Sequence, residues 1–167
     1  MTHTTLGAAC TAQATINTPL GVVLVARTVT GIAGLWFEGQ KDHPGTLTAP
    51  EQADDPLLRC AAAQLAEYFA GQRTQFDLPL DLHGTEFQRS VWTALLGIGR
   101  GQTASYGEIA RQLEHPKAVR AVGAAVGRNP VSLIVPCHRV LGSGGALTGY
   151  AGGLDRKRAL LRLEGAA

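Results

Sequence analysis

The hydrophobic pattern changes period once along this 167-residue chain, and that change limits the folds open to it. Up to about residue 38 the apolar residues come in short, β-branched runs: Ala14–Thr18, Gly21–Arg27 and Gly31–Phe37. Pro19, Gly21, Thr30 and Gly31 punctuate them as turns, so the runs read as strands. Residues 39–53 are loop-like, and a helix is predicted from about Asp55 to Ala70. Asp54 and Asp55 can cap it, Pro56 suits its first turn, and Gly71 stops it. Leu58, Ala61, Leu65, Tyr68 and Phe69 form its apolar stripe. The extended stretch Arg73–Gly84 carries the domain joint, dividing the chain into domains 1–82 and 83–167.

Beyond the joint the period becomes helical. Thr85 with Gln88, and Ser105 with Glu108, make two capping boxes. The first opens a helix with Phe87, Val91, Trp92, Leu95 and Leu96 on its apolar side, and the second opens Tyr106–Leu113. Pro116 is expected to start a third helix running through Val126, after a tight Glu114-His115-Pro116 connection. Two short helices joined in this way read as a helix-turn-helix or as an αα-hairpin inside a core. The second helix carries Lys117 and Arg120 on a surface otherwise made of Ala, Gly and Val. A reader of base edges in the major groove needs long polar side chains. A row of tiny residues instead lets a helix press into a narrow groove, with phosphate contacts supplying affinity.

Charge divides along the same line. Residues 1–99 hold five basic and nine acidic side chains, whereas residues 100–167 hold ten basic and four acidic. A basic second half suits a polyanion, and a solvated surface of uneven charge accounts for it equally. Every apolar run is interrupted before it reaches the ~20 residues of a membrane span. Met1–Thr5 lacks the basic and apolar regions of a secretory signal. The cysteines, at positions 10, 60 and 137, are odd in number and include no CxxC pair. That pattern suits a reducing, cytoplasmic setting and excludes a disulfide framework.

Chemistry concentrates in Ile134-Val135-Pro136-Cys137-His138-Arg139-Val140. A β-branched run ending in Pro136 is expected to deliver Cys137 at a strand edge or tight turn. Adjacent cations lower a thiol's pKa, and His138 and Arg139 follow directly, with Arg120 and Arg128 upstream. Neighbours on an extended chain point to opposite sides, so His138 would reach the thiol through a turn or a bridging water. The histidine needs an orienting carboxylate, and Glu164 is the acidic residue least easily explained as a surface charge. Cys10 and Cys60 read as small buried hydrophobes.

Pro136-Cys137-His138-Arg139-Val140 resembles the signature of the O6-alkylguanine-DNA alkyltransferases, also called methylated-DNA–protein-cysteine methyltransferases. The similarity runs in order from about residue 84 to 164. It takes in Gly84–Gln88 with Val91-Trp92, Thr103–Ala110, Arg120–Gly123, Asn129-Pro130, Gly149–Leu154 and Lys157–Leu161. The resemblance implies an α/β (α+β) fold: a small β-sheet N-terminal domain with a helix, then a mainly helical, winged-helix-like C-terminal domain containing the helix-turn-helix.

It also implies a function, namely irreversible, stoichiometric transfer of an alkyl group from O6-alkylguanine in double-stranded DNA to Cys137 after base flipping. Members of the family act as monomers from the minor groove. Catalytic roles fall on Cys137, His138, Glu164, Tyr106 and Asn129. His138, acting through a water, would take the thiol proton, and Tyr106 would donate to guanine N3. Asn129 would brace the cysteine turn. Arg120, Ala121, Lys117, Ser105 and Gly123 would meet DNA, with Arg120 filling the gap left by the flipped base. Tyr106, Val140, Tyr150 and Ala151 would line the pocket. Gly99-Arg100 stands where the family commonly has Pro-Tyr, and Ala151 where some members carry serine. Cys10, His43 and His83 do not match the zinc ligands of some members, so neither metal nor cofactor is expected. Two other classes remain: a sensor that binds alkylated bases without transfer, and a cysteine hydrolase built on Cys137 and His138.

Overall fold

The computed structural model describes residues 3–166; Met1 and Thr2, part of the amino-terminal stretch read above, and Ala167 lie outside the described residues. It resolves into two units, residues 1–83 and 84–167.

In the first unit, strands β1 (Ala12–Thr18), β2 (Gly21–Arg27) and β3 (Ile32–Phe37) form an antiparallel meander in chain order. A bulge at Ala26/Arg27 bends the second hairpin. All of β3 is buried, so both faces of the sheet are covered. One face carries Leu24, Ala26 and Trp36 with Leu47 and Ala49 of the following loop. Leu6 and Cys10 complete that cluster from a short helix, α1 (His3–Ala9), which the sequence does not announce. A seven-residue helix rich in Thr and Gly has little intrinsic stability, and packing holds it.

Helix α2 (Pro56–Phe69) packs on β1 and β2, with Asp55 as its N-cap, accepting from the backbone of Leu57 and Leu58. It buries Leu58, Ala61, Gln64, Leu65 and Tyr68, while Phe69 is only half-buried. Gly71, at φ 76°, supplies the left-handed residue that lets the chain leave the helix. Cys60 faces solvent, contrary to its reading as a buried hydrophobe, because it lies off the helix's apolar stripe.

The second unit begins with α3 (Glu86–Leu95), whose capping box forms as expected. It buries Val91, Trp92 and Leu95, but Leu96 lies beyond its last turn and is exposed. Strand β4 (Ala104–Ser105) leads directly into α4 (Tyr106–Gln112), which Ser105 caps. Helix α5 (Val119–Gly127) starts later than the sequence suggests, so the connection from α4 spans residues 113–118. Glu114 is left-handed at φ 62°, and Pro116 and Lys117 form a separate turn instead of the first helical turn. Trp92 Nε1 donates to Ala125 O at 2.8 Å and pins α3 to α5. The chain then passes through a turn at residues 131–135 and a single 3₁₀ turn, Cys137–Arg139. It continues into β5 (Val140–Leu141) and ends with α6 (Leu154–Leu163). β4 and β5 pair in parallel, Ala104 opposite Val140 and Ser105 opposite Leu141. That short ladder sets the start of α4 beside the end of the cysteine turn. No helix among the described residues is long and apolar enough to cross a membrane.

Candidate active site

Cys137 sits in a turn and not on a strand edge. The β-branched run before it is buried, yet Leu133 takes φ 71°, which no strand tolerates. Asn129 replaces the missing ladder. Its Nδ2 donates to Val135 O at 2.8 Å, and its Oδ1 accepts from Val131 N at 2.9 Å, so one buried amide spans the turn. Cys137 N then bonds to Val135 O, and Val140 N closes the 3₁₀ turn on Cys137 O.

The thiol is buried, and burial pushes its pKa up. Hydrogen bonding from Asn129, the charge of Lys157 and the backbone N–H groups of Cys137 and His138 oppose that rise without cancelling it. The expectation that Arg139, Arg120 or Arg128 would lower the thiol's pKa is therefore corrected. Arg139 turns away to Glu164, and Arg120 and Arg128 are exposed on and just after α5. The resting group is a thiol, so any chemistry through a thiolate needs a base.

His138 is fully buried beside it. Nε2–H donates to Glu164 Oε1 at 2.5 Å, while Nδ1 makes no hydrogen bond among the described residues. Burial lowers the imidazole's pKa; Glu164 opposes this, and the charges of Arg139 and Lys157 add to it. Glu164, at the C-terminus of α6, would be raised by burial. Hydrogen bonds and charge from His138 and Arg139 instead hold it at about 2, so it is ionised. An ionised carboxylate only accepts, which puts the proton of a neutral imidazole on Nε2 and leaves the Nδ1 lone pair open.

Lys157 is a group of this site that the cysteine segment does not announce. It is buried on α6, and its Nζ donates to Val140 O at 2.6 Å, Thr148 O at 2.9 Å and Gly149 O at 3.2 Å. These carbonyls bracket the 141–147 loop, so one ammonium closes the loop and faces the thiol. Periodicity held the signal: Lys157, Leu160, Leu161 and Glu164 share the buried stripe of α6, and a charge there is unexpected. Gly99-Arg100-Gly101 also joins this region. Arg100 Nη2 donates to Leu163 O at 3.0 Å, and Gly101, at φ 82°, passes so near Glu164 O that a side chain would press on it.

Tyr106, the first residue of α4, is half-buried, and burial raises its phenol's pKa. Its hydroxyl makes only a long, 3.5 Å contact to Thr148 O. A cavity of about 600 Å³ opens beside it, with Ser105, Arg111, Val119 and Gly142–Gly145 in its walls; Cys137 and His138 do not line it. Gly123 of α5 packs against the Tyr106 ring. Lys117, Arg120, Ala121 and Ala124 are exposed on or just before that helix. Ser105 Oγ accepts from Glu108 N as a cap, and Val140 O is engaged by Lys157. Tyr150 and Ala151 are half-buried in the segment that leads into α6. The structure thus brings Cys137, His138, Glu164 and Asn129 together, and Tyr106 joins them through Thr148 and Lys157. Cys10, His43 and His83 form no metal-binding group among the described residues.

Residues 12–82 match the ribonuclease-like domain of 6-O-methylguanine DNA methyltransferase, and residues 86–166 match its DNA binding domain. The methylated-DNA–protein-cysteine methyltransferase of Mycobacterium bovis is 50% identical over 151 residues, 90% of each chain. Its counterpart in Methanosarcina acetivorans is 47% identical over 155 residues, 91% of this chain and 97% of the relative. The crystal structure of the Mycobacterium tuberculosis O6-methylguanine methyltransferase matches with a TM-score of 0.84 at 48% identity, covering 93% of both chains. A crystal structure of Mycobacterium tuberculosis OGT in complex with DNA matches with a TM-score of 0.83 at the same identity and coverage. With both halves matched, and about half of the residues shared with relatives over nine-tenths of its length, the chain belongs to the methylated-DNA–protein-cysteine methyltransferase family.

Proposed function

We propose that this chain repairs double-stranded DNA by direct reversal, moving the alkyl group of an O6-alkylguanine onto Sγ of Cys137. The observation that carries the reading is the buried thiol whose neighbour in the chain, His138, is tied at Nε2 to ionised Glu164 and open at Nδ1. His138 takes the thiol proton at Nδ1 through a water. The thiolate attacks the alkyl carbon, an S–C bond forms, and the C–O6 bond breaks. The electron pair passes to the guanine, which Tyr106 supports by donating to N3. The product is a thioether with no leaving group to restore the thiol, so each chain acts once. Lys157 favours the thiolate by charge, and Asn129 holds the turn that aims it.

A stacked guanine hides O6 from a buried sulfur, so the base must leave the duplex. Helix α5 suits entry from the minor groove. Its exposed Ala121 and Ala124 let the backbone approach, Lys117 lies just before it, and exposed Arg120 fills the space left by the base. Ser105, which precedes Tyr106, and Gly123, which packs against its ring, meet the DNA, and Val140, Tyr150 and Ala151 receive the flipped base. No second copy is needed for any of these steps, so the acting species is a monomer.

The test is intact mass after mixing the protein with duplex DNA bearing one O6-methylguanine. One methyl in place of one hydrogen, mapped to Cys137 and absent in Cys137→Ser, is the expected result. Tight binding with no mass change would make the chain a reader of damage, and turnover of an ester would make it a hydrolase.

A further inference from the structure

The carboxylate that orients His138 is shared with a second cation. Arg139 Nε donates to Glu164 Oε2 at 2.8 Å, and Nη2 donates to Oε1 at 3.0 Å, the oxygen that also accepts from His138. Its remaining arm, Nη1, donates to Ile98 O at 2.5 Å. The Glu164 side chain has no exposure and that of Arg139 is 8% exposed, so the fork is held almost without solvent. A guanidinium in this two-point geometry is preorganised and permanently charged.

We infer that Arg139 is a positioning residue whose task is to keep the proton off Nδ1 of His138. The inference rests on the proposed role of His138 as base. Its physical ground is charge balance at a carboxylate that bulk solvent does not screen. Burying an uncompensated carboxylate is costly, so some cation or proton must accompany Glu164. With Arg139 in its fork the pair is neutral, and the imidazole stays neutral with its proton on Nε2. Without Arg139 the lost charge falls first to the imidazole that already donates to Oε1, and it is made up there in one of two ways. Either His138 takes a second proton and becomes imidazolium, or Glu164 is protonated and donates to Nε2, which moves the ring proton to Nδ1. Both outcomes place a proton on the nitrogen that must accept one from the thiol.

The charged groups that face the ring from its surroundings are Glu164 and Lys157 of α6 and Arg139 of its own turn, and Arg100 reaches the end of α6 at Leu163 O. Helix α3 also packs on this turn, but its charged residues, Glu86 and Arg89, are exposed. Lys157 cannot substitute for Arg139, because its three hydrogen bonds go to backbone carbonyls and not to Glu164. The sequence places Arg139 next to the reactive cysteine, and the obvious reading is that it lowers the thiol's pKa. The geometry assigns it to the far side of the histidine instead.

The experiment is a ¹⁵N titration of His138 in the full chain without DNA, paired with single-turnover transfer rates across pH. Wild type is expected to keep Nδ1 unprotonated from pH 6 to 8. Arg139→Gln is expected to carry a proton on Nδ1 at pH 7 and to transfer at least about tenfold more slowly there, the factor set by one unit of pKa. Its rate recovers toward that of wild type as pH rises. Adding Glu164→Gln to that variant removes both charges and is expected to free Nδ1 again.

Arg139→Lys provides a test where the Gln variant does not fold. It supplies one donor in place of two, and Nδ1 should take up its proton at a higher pH than in wild type. A Gln variant with Nδ1 unprotonated and a rate lowered by the same factor at every pH would overturn the inference. So would a Lys variant whose titration superimposes on wild type. Because the titration needs no substrate, a wild type with the expected Nδ1 that fails to transfer would count against the proposed function and not against Arg139.

Discussion

Helices α2 and α6 cover their cores with stripes of different chemistry. Helix α2 buries Leu58, Ala61, Leu65 and Tyr68 with one polar residue, Gln64. That amide is satisfied on both sides by the backbone of Asp77, donating to its carbonyl at 2.9 Å and accepting from its N–H at 2.8 Å. Helix α6 and its C-cap bury Lys157 and Glu164 with Leu160 and Leu161. Buried charge adds little to stability relative to well-packed apolar groups, and losing one partner is expensive. The first helix is therefore explained by apolar packing, whereas the second carries a lysine that closes a loop and a carboxylate tied to His138 and Arg139.

The largest effect is expected at Lys157. Lys157→Met keeps the length of the side chain and removes three hydrogen bonds, taking the ammonium from the carbonyls of Val140 and Gly149 and leaving that of Thr148 with its long contact to Tyr106. Each unsatisfied carbonyl costs about 1–3 kcal/mol, and relief of the buried charge offsets part of the sum. A net loss of roughly 2–4 kcal/mol is expected in denaturant unfolding of the second unit. Transfer should slow as well, because the thiolate loses the cation that favours it. Unchanged stability would show that the ammonium's bonds replace, without surplus, what an apolar side chain supplies.

Acid should come next, and it should separate the two units. Glu164 is held at about 2 in the folded chain, below its unfolded value, so its contribution is fully present above the unfolded pKa. It is lost as pH falls toward 2, and the shift corresponds to roughly 3 kcal/mol. His138 acts in the same direction: its folded pKa is lowered by burial, so the unfolded chain binds more protons and stability falls as pH drops below the unfolded histidine value. In the first unit, burial tends to raise Asp55 and Asp81. Bonds from Leu58 and Arg27 to Asp55, and from Thr28 and His83 to Asp81, still leave both lowered, without a change as large as that of Glu164. Hydrogen exchange followed from pH 7 down to 2.5 should show amides of α3 and α6 losing protection before those of β2 and β3, through His138 in the upper part of the range and through Glu164 below about pH 4. Parallel loss in both units would remove Glu164 as the acid-sensitive group.

The sequence was informative wherever local chemistry decides structure. Asp55, Thr85 and Ser105 cap the helices they announce, and the three strands lie where turn residues bracket them. It failed where tertiary packing overrides local preference. Ile134-Val135 has strand composition, but Asn129 and the left-handed Leu133 bend it into a turn. Pro116 suits a helix start, yet α5 waits until Val119. The residue types of the site were legible from the cysteine segment. Their electrostatics were not, because proximity in sequence suggested cations beside the thiol, whereas the fold sends Arg139 to Glu164 and brings Lys157 from another helix.

The smallest effect is expected in α2, where it isolates what a buried polar group contributes when no chemistry depends on it. Gln64→Leu keeps the helix and its stripe but leaves the N–H and carbonyl of Asp77 without the amide. Asp77 is half-buried, so water can recover part of the loss, and about 1–2 kcal/mol is expected in unfolding of the first unit. The single-turnover transfer rate at pH 7 should stay within twofold of wild type, because Gln64 belongs to the first unit and its amide is engaged by Asp77 of the same unit. A rate that fell with stability would mean that the α2 stripe also supports the chemistry, and the contrast between the two helices would reduce to one of degree.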